Sequence, residues 1–121
     1  MIQVNTSYEN IKISPAKLVL MTVPDGYNFE LVTVDNEKLL TGNRFRSAVA
    51  CIRAMMSLKK NAHNNRCIRK CISTDNRYFF VVLNVQESCI ASSDLFRSAA
   101  ERDRILLSAQ RELMFADMVE E

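Results

Sequence analysis

The stretches "NRFRSAVA" (43–50) and "DLFRSAAE" (94–101) share four consecutive residues, Phe-Arg-Ser-Ala, 51 positions apart. Sliding the chain over itself by that amount lays 27–60 on 78–111 without a gap. Tyr27 then meets Tyr78, Phe29 meets Phe80, Val34 meets Val85, Arg53 meets Arg104 and Ser57 meets Ser108. Apolar character is kept at Leu31/Val82, Val32/Leu83, Leu39/Ile90, Met55/Leu106 and Met56/Leu107. The match points to an internal duplication. Two copies at a period near 50 suggest a tandem pair of supersecondary units, since a solenoid needs at least about three.

Each unit carries the same succession of signals. A β-prone run, "KLVLMTV" (17–23) or "CIRKCIS" (67–73), leads to turn residues, "PDG" (24–26) or "TDN" (74–76). A second run follows, "YNFELVTV" (27–34) or "YFFVVLNV" (78–85), rich in the aromatic and β-branched residues that suit a pleated surface. A polar turn and a short third strand come next, around Leu39–Thr41 or Ile90–Ser92. The FRSA segment then opens a helix. Ser47 and Ser98 are natural N-caps, and Glu101 three residues after Ser98 predicts a capping box. Ala48, Cys51, Met55, Leu58 and Ala62 recur at helical spacing. In the second copy Arg102 stands where Cys51 would be, which predicts a helix rotated slightly toward Ile105.

The chain has 121 residues. A lone half of roughly 60 residues would bury only about 60% of its unfolded surface, so two halves sharing one core are expected. The predicted fold is α+β: two tandem β-β-β-α repeats in one mainly antiparallel six-stranded sheet, with both helices packed on one face. Residues 1–14 read as an N-terminal extension. Residues 15–121 read as one domain, with repeats at 15–62 and 66–113 and a C-terminal helical tail.

The segment "DNEKLLTGNRFRSAVACIRAMMSLKKNA" (35–62) resembles the repeat of the YegP-like family of small bacterial proteins. Glu37, Leu39, Thr41, Phe45, Ser47 and "SLKKNA" (57–62) fall in register with it, as do Ile90, Ser92, Phe96, Ser98 and Ala99 in the second unit. The resemblance spans about 17–113. It departs at the Asn-Gly turn, which is "DN" here and "QE" in the second unit, so that both hairpins are expected to need a different turn. It departs again at the mid-helix Gly, which is Ala54 and Ile105. The resemblance implies two repeats joined through one sheet, with helices crossing over to pack on the partner repeat. It implies no catalytic or binding residues, because the family has no established activity.

Chemistry is sparsely signalled. With two Gly in the chain there is no Gly-rich phosphate loop, and one His leaves little for nucleophilic catalysis. No catalytic residue and no cofactor are expected. His63, Cys67 and Cys71 are spaced by four and four, a set of ligand types that zinc could use. A fourth ligand is not evident, and small apolar Cys is ordinary core filling, so no metal is expected either. The opening "MIQVNTSYENIKIS" lacks a signal-peptide pattern, and no apolar run approaches the roughly 18 residues of a membrane span. A cytoplasmic protein with reduced cysteines and no membrane association is expected.

Two surfaces remain as candidates. Lys59, Lys60, Arg66, Arg69 and Lys70 form a basic run, and Arg53, Ser57 and Lys60 share a helix face as Arg104, Ser108 and Arg111 do. Nucleic-acid binding through these cations is the alternative reading. A net charge of +2 gives it little support, and a solvated helix face accounts for the stripes. The sharper signal is apolar. In the first unit Tyr27, Phe29 and Leu31 alternate with Asn28 and Glu30, so one strand face is wet. In the second unit Phe79, Val81, Leu83 and Val85 occupy the wet positions. With both helices on one side of the sheet, this second face needs a cover. The extension with Ile2, Val4, Ile11 and Ile13, a second copy of the chain, or a different protein could supply it. The expected role is a small non-catalytic interaction or structural module acting through this apolar sheet face, as a homodimer or with a protein partner.

Overall fold

The computed structural model describes residues 16–121. Any cover contributed by residues 1–14 lies outside the described residues. In chain order the elements are β1 (Lys17–Val23), β2 (Gly26–Val32), β3 (Lys38–Gly42), α1 (Ala48–Asn61), a 3-10 turn (Asn65–Cys67), β4 (Ile68–Ile72), β5 (Tyr78–Leu83), β6 (Cys89–Ser92), α2 (Ala99–Leu113) and β7 (Asp117–Glu120).

Each unit is a three-stranded meander followed by a helix. The two meanders join edge to edge where Thr41 of β3 faces Ser92 of β6 and Gly42 faces Ala91. The sheet runs β4-β5-β6-β3-β2-β1-β7. All neighbours are antiparallel except β1 and β7. Among the described residues the sheet thus has seven strands, not the six expected. The segment after α2, expected to prolong the helix, instead turns and pairs parallel with β1. Asp117 N–H donates to the Ala16 carbonyl at 3.1 Å, and Glu121 N–H donates to the Leu20 carbonyl at 3.0 Å. Burial of Ala116 anchors the turn. The outer edge of β1 otherwise offers unpaired backbone groups, and β7 satisfies them.

Leu18, Leu20, Phe29, Leu31, Phe80 and Val82 alternate onto one sheet face and meet Met55, Leu58, Leu106 and Ala109 of the helices in a single core. The helices do not simply exchange places. α1 packs on β1 and β2 of its own unit and reaches β5 and β6; α2 packs on its own β5 and on β3. Gln110 ties the pair by donating to the Ala62 carbonyl at 2.8 Å.

The 51-residue shift carries over to backbone detail. In each unit an extra residue bulges the third strand. Leu31 pairs Leu40 and Val32 pairs Lys38, leaving Leu39; Val82 pairs Ala91 and Leu83 pairs Cys89, leaving Ile90. Leu39 and Leu40 are therefore both buried, as are Ile90 and Ala91. Positive φ occurs at Asp25 (65°) and Asn76 (64°), and at Asn36 (66°) and Glu87 (67°), again 51 apart. The "DN" and "QE" hairpins therefore share one turn conformation despite their different residues. Phe45 exchanges two backbone hydrogen bonds with Tyr27, at 2.7 and 2.8 Å, and Phe96 does the same with Tyr78.

Ser47 Oγ accepts from Ala50 N–H and Ser98 Oγ from Glu101 N–H, each at 3.1 Å. The reciprocal bond of a capping box, from Ser98 N–H to the Glu101 carboxylate, is not among the hydrogen bonds of the described residues. Cys51, Ala54, Met55 and Leu58 are buried on α1, and Arg102, Ile105, Leu106 and Ala109 on α2. These sets superpose residue for residue, so α2 is not rotated. Instead Arg102 itself goes inside.

Candidate interaction surface

Cross-strand partners share a sheet face, so the pairing registers place the side chains opposite the helices. One row crosses the whole sheet: Arg69, Val81, Ser92, Thr41, Glu30, Val19 and Val119. On either side of it lie Cys71 with Phe79, Leu83 with Cys89, Met21 with Asn28, and Lys17 with Val32. No described helix covers this outer face. Val19, Met21, Val32, Phe79 and Val81 are all half-buried there. Around β1, β2 and β7 the apolar groups are bordered by Lys17, Lys38, Glu30, Asp117 and Glu121, so both signs of charge are interleaved. Asn28 Oδ1, on the same face, is buried with no hydrogen-bond partner among the described residues.

Of the four apolar residues singled out from sequence, Phe79 and Val81 stand on the outer face as expected. Leu83 stands on that face as well but is only 8% exposed. The bulge beside it sets Leu83 opposite Cys89. Val85 is 68% exposed but belongs to the other side. The strand ends at Leu83, so alternation no longer governs Val85, which lies in the following turn beside Ser57 of α1.

The five cations of the basic run are dispersed. Lys59 Nζ donates to the Ala116 carbonyl and so holds the α2–β7 turn against α1. Lys60 and Arg66 are exposed. Arg69 and Lys70 are adjacent on β4 and therefore point to opposite faces. Arg69 donates to the carbonyls of Arg66 (2.6 Å) and Ile68 (3.2 Å), and its guanidinium lies 4.0 Å from Glu87. Lys70 pairs with Asp103 at 3.3 Å.

The candidate zinc residues also separate. His63 is exposed in a turn, Cys67 ends the 3-10 turn and is buried, and Cys71 sits on β4. Among the described residues no three His, Cys, Asp or Glu side chains gather as a metal site. Burial raises the thiol pKa of Cys51 and of Cys89.

Sequence reasoning missed the arrangement around Arg102. Its guanidinium lies 5.5 Å from the centre of the Tyr78 ring, and Nε donates to Asp103 Oδ1 at 3.0 Å. The hydrogen bond from Arg102, with Lys70 adding to it, holds the Asp103 carboxyl below its usual pKa. The available signal was Arg102 standing in the Cys51 position of a buried stripe. A cation there must find a partner, and the aromatic ring at Tyr78 lies within reach.

The fold has known counterparts. It is similar to the solution structure of YegP from E. coli, a protein of unknown function, with a TM-score of 0.84 and 17% identity over 90% of this chain and 95% of that one. It is also similar to a UPF0339 protein from Shewanella oneidensis, with a TM-score of 0.82 and 16% identity over 88% of this chain and 91% of that one. No family model matches the sequence, and no curated protein matches it. No described helix is long and apolar enough to cross a membrane. Shared architecture over nearly the whole length of both neighbours gives the chain a YegP-like fold.

Proposed function

We propose that the protein is a non-catalytic interaction module that pairs with a second copy of itself through the outer face of its sheet. One observation carries this reading. Both helices pack on the same side of the sheet, leaving Val19, Met21, Phe79 and Val81 half-buried on the other with no described helix over them. Burying such groups yields roughly 25 cal/mol per Å². The interleaved Lys17, Lys38, Glu30 and Asp117 favour a second copy, because a two-fold contact sets each patch against itself and mixed signs can then pair.

Sedimentation equilibrium tests the proposal. The apparent mass of the wild type should rise with concentration from the 13.8 kDa of one chain toward twice that value. Val81→Glu, on the β5 part of the face, should stay monomeric with an unchanged circular dichroism spectrum. A wild type that remains monomeric throughout, or a folded Val81→Glu protein that associates equally well, would falsify the reading.

A further inference from the structure

The solvent side of α1 is a second, separate surface. Val49, Ile52 and Met56 are 58%, 37% and 58% exposed. Their spacing aligns them along one helix face. Arg53 and Lys60 stand on that face beside them, and no residue of α1 is acidic. From Val49 to Lys60 the stripe is about 17 Å long at roughly 1.5 Å per residue, about three turns, the length over which one partner helix can pack.

The duplication supplies an internal control. On α2 the cations recur as Arg104 and Arg111 and Met56 recurs as Leu107, 65% exposed, but Val49 is replaced by Ala100 and Ile52 by Asp103. Asp103 is engaged with Lys70 and Arg102. Equivalent helices in one fold thus differ in that the α1 stripe has three exposed apolar side chains and no acid, whereas the α2 stripe keeps only Leu107 and is interrupted by Asp103. Fold maintenance does not demand this, since α2 packs its own buried set without it.

We infer that α1 docks an acidic amphipathic helix. The partner's apolar side chains would lie on Val49, Ile52 and Met56, and its flanking carboxylates would face Arg53 and Lys60. Paired apolar stripes supply affinity, and the cations select the sign of the partner and its orientation.

The test uses fluorescence anisotropy of two labelled 18-residue helical peptides with the same leucine stripe, one with Glu and one with Lys at all other positions. The whole chain should bind the Leu/Glu peptide, more weakly as salt rises, and should not bind the Leu/Lys peptide. Val49→Asp should weaken binding by about tenfold, as loss of a packed anchor does, with an unchanged circular dichroism spectrum. Lys60→Glu, which leaves Arg53 as the one cation of the stripe, should narrow the preference between peptides. Absence of Leu/Glu binding, equal binding of both peptides, or full affinity in Val49→Asp would overturn the inference. So would a Val49-dependent association with phosphatidylserine vesicles in the absence of peptide binding, which would assign the face to a lipid surface. Peptide binding should survive Val81→Glu, which separates this surface from the outer sheet face.

Discussion

At Glu87 the backbone holds a φ of 67°, in the left-handed region where a Cβ is unwelcome. Its counterpart Asn36 tolerates that region better. The Glu87 side chain contributes only a long, exposed pairing with Arg69, and such pairs are worth little. Glu87→Gly should therefore stabilise the protein, by about 1 kcal/mol. A higher urea midpoint with an unchanged slope would show it, and a lower midpoint would contradict the strain assigned here. Asp103 gives a pH-dependent counterpart. Its folded pKa is lowered, chiefly by the Arg102 hydrogen bond. It therefore adds stability above the ordinary Asp pKa of about 4, and that stability is lost as pH falls through the lower folded value. Urea midpoints of Asp103→Asn should lie below wild type near neutrality and converge with it in acid. A gap that stays constant down to about pH 2 would contradict the assignment. Arg102 shows where sequence reasoning fell short at this scale. Its place in the buried stripe was legible, but a cation there read as a reason to rotate the helix. The ring of Tyr78, adjacent only in space, made burial acceptable instead.

Among the elements, those set by local chemistry were the most legible. Ser47 and Ser98 cap the helices, and the alternation of Phe29 and Leu31 turns inward. What escaped depended on distant partners or on one extra residue. β7 has no alternation long enough to announce a strand, and it exists because the edge of β1, a hundred positions away, is there to pair with. The bulge at Ile90 sets Leu83 opposite Cys89, where it is nearly buried, because a single inserted residue changes which residues face each other across the ladder. The third strand of the first unit also makes room for a neighbour. Gly42 lies under the fully buried ring of Phe29, and a Cβ there would come within 2.3 Å of a ring carbon. Gly42→Ala should therefore destabilise the fold by about 1–3 kcal/mol, read as a lower thermal midpoint. An unchanged midpoint would show that Phe29 can shift freely.

Over the whole molecule, the described residues form a seven-stranded sheet with both described helices on one side of it. The chain carries its own reporters. Cys71 and Cys89 stand on the outer face opposite Phe79 and Leu83, whereas Cys51 and Cys67 are buried in the interior. Alkylation rates at each cysteine, read by peptide mass after brief maleimide exposure, should depend on protein concentration in a residue-specific way. The account predicts that Cys71 and Cys89 become protected as concentration rises, that Val81→Glu abolishes this protection, and that Cys51 and Cys67 stay slow throughout. Labelling of Cys71 and Cys89 that is independent of concentration in the wild type would contradict the claim that the outer face pairs with a second copy.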